Sequence, residues 1–256
     1  NNYRGKTRRW PIRNIIYYNL ALYKVLKKLN LTDNILYKSK QVCAYADDIV
    51  LIARNLSALQ EMLSTIESAG KSAGLQINED KTKYMKMEVN QADNTLTQTI
   101  KLGNYNFEKV TTFTYLGTKI NNKGLITKEI NHRILTGNKA YFANLSLIKS
   151  KLLTRTTKMK VCKTLIRPVV TYSAETWVLN KEDENALRIF EREIIRRIYG
   201  PVLENNTWRI RSNSEINQIL GGEDLVRYIK SMRLRWIGHV ERMEDGRWKN
   251  AETANA

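Results

Sequence analysis

Two adjacent carboxylates, Asp47 and Asp48, lie between apolar runs in Val42-Cys43-Ala44-Tyr45-Ala46-Asp47-Asp48-Ile49-Val50-Leu51-Ile52-Ala53. Neighbouring like charges repel, and apolar flanks withhold the water that would stabilise them. If the segment folds inward, something positive must compensate the pair, and the usual compensator in a protein is a bound divalent cation. Mg²⁺ prefers carboxylates and water at near-octahedral geometry, so short Asp side chains on a rigid support suit it. One chemistry that a cation held by such a pair can serve is phosphoryl transfer, which needs charge neutralisation and in-line positioning. His132, His239, Cys43 and Cys162 show no zinc-ligand spacing, so a metal here must be held by oxygen.

The elements that must position this pair follow from periodicity. The flanking runs are short and β-branched, bounded by Lys40-Gln41 and Arg54-Asn55, and read as two buried strands joined at the acids. Ser57 with Gln60 makes a capping box for a helix whose apolar stripe is Leu59, Met62, Leu63 and Ile66, closed by Gly74. Leu75-Gln76-Ile77-Asn78 reads as a strand leading to Lys81-Thr82, and Glu88–Thr99 as a polar loop. Ile100 and Leu102, a Gly103-Asn104 turn, then Tyr105 and Phe107 suggest a hairpin, with another strand end at Phe113–Gly117. Upstream, residues 14–29 read as an amphipathic helix, after a basic, irregular start broken at Trp10-Pro11.

After Gly124 the period changes from two to 3.6. Ile130, Ile134, Tyr141, Leu145 and Ile148 mark one helix, and Met159, Cys162, Leu165 and Ile166 mark a second that ends near Pro168. Asn180 caps a third, with Glu182-Asp183-Glu184 in its first turn and Gly200-Pro201 as its stop. A last helix begins near Asp224 and carries Leu225, Ile229, Met232, Trp236 and Val240, with Trp236 expected in the core. The fold class expected is α+β: a mixed part over residues 1–124, an all-helical part over 125–243, and a disordered tail over 244–256.

Charge narrows the partner. The 256 residues carry 43 Lys and Arg against 25 Asp and Glu, a formal net charge of +18. The basic residues recur along most of the length, which calls for a polyanion, nucleic acid before anionic membrane. No segment is apolar for the ~18 residues a membrane span requires, and Asn1–Lys6 lacks the apolar run of a signal peptide. The chain does not begin with Met, as a fragment would not. Cys43 and Cys162, far apart among apolar neighbours, read as reduced core thiols of an intracellular protein, nuclear or cytoplasmic.

Taken in order, Tyr45-Ala46-Asp47-Asp48, then Gly74-Leu75-Gln76-Ile77-Asn78-Glu79-Asp80-Lys81-Thr82, then Phe113-Thr114-Tyr115-Leu116-Gly117 resemble the second half of a reverse transcriptase palm. The type is that of non-LTR (LINE-like) retrotransposons. Thr171–Trp177 and Leu234–Met243 resemble the region that follows the palm in those elements, and the likeness runs from about Asn19 to Met243. The resemblance implies a partial palm, an antiparallel sheet with helices, followed by a helical thumb-like domain. It implies an RNA-directed DNA polymerase with an RNA template, a DNA primer, deoxynucleoside triphosphates and Mg²⁺. Asp47 and Asp48 would hold the metal, Lys81 would lie near the nucleotide's phosphates, and Phe113, Tyr115, Leu116 and Gly117 would grip the primer. The basic residues of the helical part would contact the template–primer backbone: Lys149, Lys151, Arg155 and Lys158 in one crowded run, and Arg188, Arg192 and Arg196 at every fourth position.

The sequence departs from that family in one decisive respect. A reverse transcriptase needs a further Asp on a strand well upstream of the acid pair, and the one acid before Asp47 is Asp33, in a polar stretch. Arg8–Asn14 is a poor match to the Gly- and Pro-containing motif that shapes the nucleotide pocket, and no fingers or endonuclease portion reads out of these residues. The expectation is a truncated retroelement polymerase, inactive by itself. The alternative is a non-catalytic, basic nucleic-acid-binding protein or pseudoenzyme derived from a transposon.

Overall fold

The computed structural model describes residues 40–87 and 98–242. The helix expected over residues 14–29, Asp33, most of the polar loop from Glu88 and the tail from 244 lie outside them. The fold is α+β. By contacts the chain divides into two units, with the boundary between Thr111 and Thr112.

In the first unit, β1 (Lys40–Tyr45) and β2 (Asp48–Ala53) form an antiparallel hairpin. The helix α1 (Leu56–Ser72) follows, capped by Asn55, whose side chain accepts from the Ala58 N–H at 2.8 Å. Ser57, read as the cap, instead donates its hydroxyl to Asn55 Oδ1 at 2.9 Å. The apolar stripe of α1 splits between two surfaces. Met62, Ile66 and Ala69 pack on Val42, Ile49, Leu51 and Ala53 of the hairpin. Leu63 packs with Leu102 and Phe107, together with Ile77, Tyr84 and Tyr105. Those residues belong partly to a three-stranded sheet of order β3 (Lys83–Tyr84), β5 (Tyr105–Lys109), β4 (Thr99–Leu102), in which β4 and β5 form the expected hairpin and β3 runs parallel to β5. Leu75–Asn78 is not a strand; it crosses back from α1 without a ladder partner, burying Leu75 and Ile77 by half.

The second unit begins with the hairpin β6 (Thr112–Tyr115) and β7 (Thr118–Asn121). Helices follow: α2 (Thr127–Ala143), α3 (Leu145–Lys149), α4 (Arg155–Val161), α5 (Arg167–Val170), α6 (Lys181–Tyr199), α7 (Asn213–Leu220) and α8 (Leu225–Glu241). Between α4 and α5 the helix widens into a π turn over Cys162–Ile166. Pro168 supplies the reason. It lacks an N–H and its ring crowds the carbonyl four residues back, that of Thr164. The chain therefore does not stop there; it loosens by one residue per turn and continues with Pro168 in the first turn of α5. The α6 capping box forms as expected between Asn180 and Asp183. A small hairpin, β8 (Val202–Glu204) and β9 (Thr207–Arg209), interrupts the helices.

The helical core joins Ile130 and Tyr141 of α2, Ile166 of the π turn, Val170 of α5, Trp177 before α6, Leu187, Phe190 and Ile194 of α6, and Leu225, Val226 and Ile229 of α8. Trp177 is the largest fully buried side chain. Trp236, expected in the core, is half exposed, because α8 is buried only along its first turns. Cys162 is part-buried, and burial pushes its thiol up to about 11, whereas Cys43, expected in a core, is exposed.

Close approach of α2 to its neighbours rests on Gly137. A methyl group there would strike Val170 Cγ2 and stand 2.9 Å from Phe190 Cζ. Gly137→Ala should therefore destabilise the helical unit despite its better helix propensity, by about 1–3 kcal/mol, read as a lower urea midpoint. The second hairpin offers a pH test. Arg209 and then the Ser212 N–H hold the Glu215 carboxyl down to about 2, from an ordinary 4.5. A depressed carboxylate stabilises the fold above its unfolded value and ceases to do so as pH falls through its folded value. Acid titration should loosen the β8–β9 hairpin between pH 4.5 and about 2, read from Trp208 fluorescence; Glu215→Gln should abolish that transition.

Candidate functional site

The β1–β2 register pairs Tyr45 with Asp48, leaving Ala46 and Asp47 as a two-residue loop. Such loops match the twist of the strands only with positive φ, where glycine is the ordinary choice. Here Ala46 takes φ +50°, at a cost of about 1 kcal/mol for an L residue. The acids are thus carried at a tight, strained corner. Strand alternation then sets their face. Val42, Ile49, Leu51 and Ala53 turn toward α1, while Cys43, Tyr45, Asp48 and Ile52 share the other face, and all four are exposed among the described residues.

Asp47 and Asp48 are both exposed, which corrects the expectation of two buried strands joined at the acids. One face of the hairpin packs on α1 and the acids lie off it, so water offsets their repulsion without a cation. The donor set nonetheless fits one Mg²⁺: two adjacent carboxylates, open to solvent, with water to complete the octahedron. Among the described residues no group of three His, Cys, Asp or Glu side chains gathers around one point. Lys81 lies in the same unit, in a turn where Asn78 Oδ1 accepts its backbone N–H at 3.0 Å and the Asn78 carbonyl accepts from Thr82 N–H at 3.0 Å. Its side chain is exposed.

Phe113, Tyr115, Leu116 and Gly117 belong to the second unit, on the β6–β7 hairpin. Leu116 and Gly117 are its two turn residues, with φ of +48° and +79°. Glycine takes this backbone freely; leucine does not, and a network residing mostly in α2 holds it. The buried Glu129 carboxylate accepts from Arg133 Nε at 2.5 Å and from the Lys119 backbone N–H at 2.8 Å. Arg133 in turn donates to the Gly117 carbonyl at 2.5 Å and stacks on the Tyr172 ring, 4.5 Å from its centroid. The Tyr172 hydroxyl donates to the Leu116 carbonyl at 2.9 Å. Both turn carbonyls are therefore claimed by side chains of the helical unit. Glu129 and Arg133 were not singled out from the sequence, where they form a pair four residues apart, and Tyr172 entered there only within the Thr171–Trp177 likeness. The one sequence signal of Glu129 and Arg133 is position: each directly precedes an apolar-stripe residue, Ile130 and Ile134.

The cations of the helical part have unequal situations. Arg188 is paired with Glu184 at 3.2 Å and Asp224 at 3.5 Å. Lys163 is paired with Glu223 at 2.9 Å, and Arg167 lies 3.8 Å from Glu191. Arg196 donates to the Arg211 carbonyl and to Asn213 Oδ1, neutral acceptors, and its charge meets no carboxylate among the described residues. Lys149, Lys151 and Arg155 are exposed, and Lys158 and Arg192 half-buried. From Lys149 to Ala174 the chain has no acid at all.

Residues 16–120 match the family model described as reverse transcriptase (RNA-dependent DNA polymerase). That stretch includes the acid corner, Lys81 and the Leu116-Gly117 turn. Over 213 residues the chain is 27% identical to an uncharacterized transposon-derived protein of Caenorhabditis elegans, covering 82% of this chain and 74% of that protein. No solved structure matches. Among the described residues no helix is long and apolar enough to cross a membrane.

The buried pair generates a clear expectation. Removing one partner strands the other's charge away from water, at a cost of about 3–5 kcal/mol. Arg133→Ala and Glu129→Ala should each reduce unfolding free energy by about that amount, and the double variant by little more than either alone. Additive losses in a urea-unfolding cycle would show that the two side chains act independently.

Proposed function

We propose that this chain derives from the reverse transcriptase of a non-LTR retroelement and binds nucleic acid without polymerising by itself. Residues 1–124 correspond to the C-terminal part of the palm, ending in the grip hairpin, and residues 125–243 to the thumb and the region after it. The observation that carries the reading is the exposed Asp47-Asp48 pair at a two-strand corner, inside the stretch similar to reverse transcriptases.

Asp47 and Asp48 are the residues to hold Mg²⁺, which when bound supplies charge neutralisation at a transferred phosphoryl group. Lys81 offers an ammonium to the phosphates of an incoming deoxynucleoside triphosphate. Phe113, Tyr115, Leu116 and Gly117 present a turn whose backbone is already fixed, suited to seating the 3′ end of a primer. Lys149, Lys151, Arg155, Lys158, Arg192 and Arg196 contact the template–primer backbone, a sequence-independent attraction. Arg188, with two carboxylates on it, serves α6 more than a ligand. The setting is intracellular, nucleus or cytoplasm, where such duplexes occur.

Polymerisation by this family needs a third carboxylate, and these residues offer only Asp33 before Asp47. A second reading, a transposon-derived binding protein with no chemistry, is favoured by the same exposed pair, which is comfortable in water without metal. Primer extension on the purified chain with Mg²⁺ should give no template-dependent product; synthesis above background would overturn the incompleteness. Binding to a template–primer duplex should weaken steeply with salt, losing about 10³-fold or more between 50 and 200 mM if six or more phosphates are contacted. Flat salt dependence would refute the phosphate-contact reading. Replacing Asp47 and Asp48 by Asn should leave binding unchanged or slightly tighter without metal, while Mg²⁺-dependent tightening, if the corner holds the ion, should vanish.

A further inference from the structure

We infer that the β8–β9 hairpin extends the basic segment beside it into a contact that takes a single strand with unstacked bases. This rests on the nucleic-acid reading above and adds to it a surface outside the stretch similar to reverse transcriptases, which ends at residue 120. The ribbon has two unlike faces. Glu204 with Thr207 and Val202 with Arg209 lie on one, and Leu203 with Trp208 on the other. The first face is anchored: Arg209 binds the Glu215 carboxylate through two nitrogens at 2.9 Å each and also pairs with Glu204. The second face is bare. Trp208 is 70% exposed, Leu203 53%, and Ile210, two residues along from Trp208, 76%.

A ribbon that displays Trp208, Leu203 and Ile210 together to water is open to an occupant, and the neighbouring charge selects it. At the base of the hairpin, the Arg155 and Arg211 guanidiniums lie 5.7 and 6.0 Å from the Tyr199 ring centroid. Arg196 donates to the Arg211 carbonyl at 3.1 Å. None of these three guanidiniums is paired with a carboxylate among the described residues; Arg211 itself donates to the Gly200 carbonyl. Arg155 opens α4, in the acid-free run that also holds Lys149, Lys151, Lys158 and Lys160. Uncompensated cations at the base of a ribbon that carries an exposed aromatic are a combination suited to holding a strand by phosphate attraction and base stacking. A duplex keeps its bases stacked internally, so Trp208 has nothing to gain from one. The asymmetric turn suits the task as well: Asn205 and Asn206 both take positive φ, +49° and +62°, the type I′ geometry that gives a short, firm ribbon.

The test compares a fluorescent oligo(dT) or oligo(U) strand of about twenty nucleotides with a blunt duplex of the same length, on the full chain. Trp208→Ala should weaken single-strand binding about tenfold and leave duplex binding unchanged, with Trp208→Phe retaining most of the affinity. Because Trp208 is exposed, its circular dichroism and urea midpoint should match the parent. Arg155→Ala with Arg211→Ala should weaken both ligands and flatten the salt dependence. Equal single-strand affinity in parent and Trp208→Ala, with duplex binding intact, would overturn the inference and leave the nucleic-acid reading standing. Failure of the parent chain to bind either ligand would overturn both. A preference between oligo(dT) and oligo(U) decides which strand chemistry the surface takes.

Discussion

A buried carboxylate and a buried guanidinium, Glu129 and Arg133, set the terms for the helical unit. Removing both charges from water is expensive, and their mutual attraction offsets that loss only when geometry is good and the remaining hydrogen-bonding capacity is used. Here it is used by backbone: Lys119 donates to the carboxylate, and the guanidinium donates to the Gly117 carbonyl. The planar fork of arginine makes this possible, presenting Nε to Glu129 and a terminal nitrogen to the turn while its face lies on Tyr172. Lysine offers neither the fork nor the face. The β6–β7 turn is thus specified by electrostatics, in a position where Leu116 alone would not choose its backbone.

From that pair the order of the unit extends outward. Tyr172 reaches the turn because α5 delivers it there, and α5 exists because the π turn absorbs Pro168 instead of ending the helix. Val170, at the end of α5, meets Gly137 of α2 so closely that no side chain fits between. Trp177 then fills the space among α2, α6 and α8. Each of these features fixes the next, which explains why a hairpin that reads as the end of the mixed part groups by contacts with the helices.

The local elements were largely legible in the sequence, because their signals are local. The alternation around Asp47-Asp48, the Gly103-Asn104 turn and the Asn180 cap each depend on neighbours within a few residues. What was not legible depends on partners remote in the chain. Whether the hairpin carrying the acids is covered on one face or two cannot be read from an apolar run, and Cys43 and the acid pair proved to lie on or beside the uncovered face. The strand expected at Leu75–Asn78 had suitable residues and no neighbour to pair with. The β8–β9 hairpin has strands of three residues, too short for alternation to register; its one clear sign is Asn205-Asn206, whose side chains tolerate positive φ. At the candidate site, residue types pointed to the acids, Lys81 and the turn, while Glu129 and Arg133, which hold that turn through a contact remote in the chain, gave no local signal of doing so.

Charge shows the same division between what composition states and what packing decides. A basic residue every fourth position along α6 looks like one binding stripe, yet its members have different fates. Arg188 is neutralised by Glu184 and Asp224 and so ties α6 to the start of α8. Arg196 spends its donors on a carbonyl and an amide near α7 and keeps its charge. In the acid-free run, Lys163 and Arg167 find carboxylates on other elements, Glu223 and Glu191, whereas the positions before them find none among the described residues. Attraction for a polyanion scales with uncompensated charge, so the positive surface of the helical unit centres on the segment from Lys149 to Lys160 and the arginines beside it, while Arg188 on α6 and Arg167 on α5 serve as internal bracing.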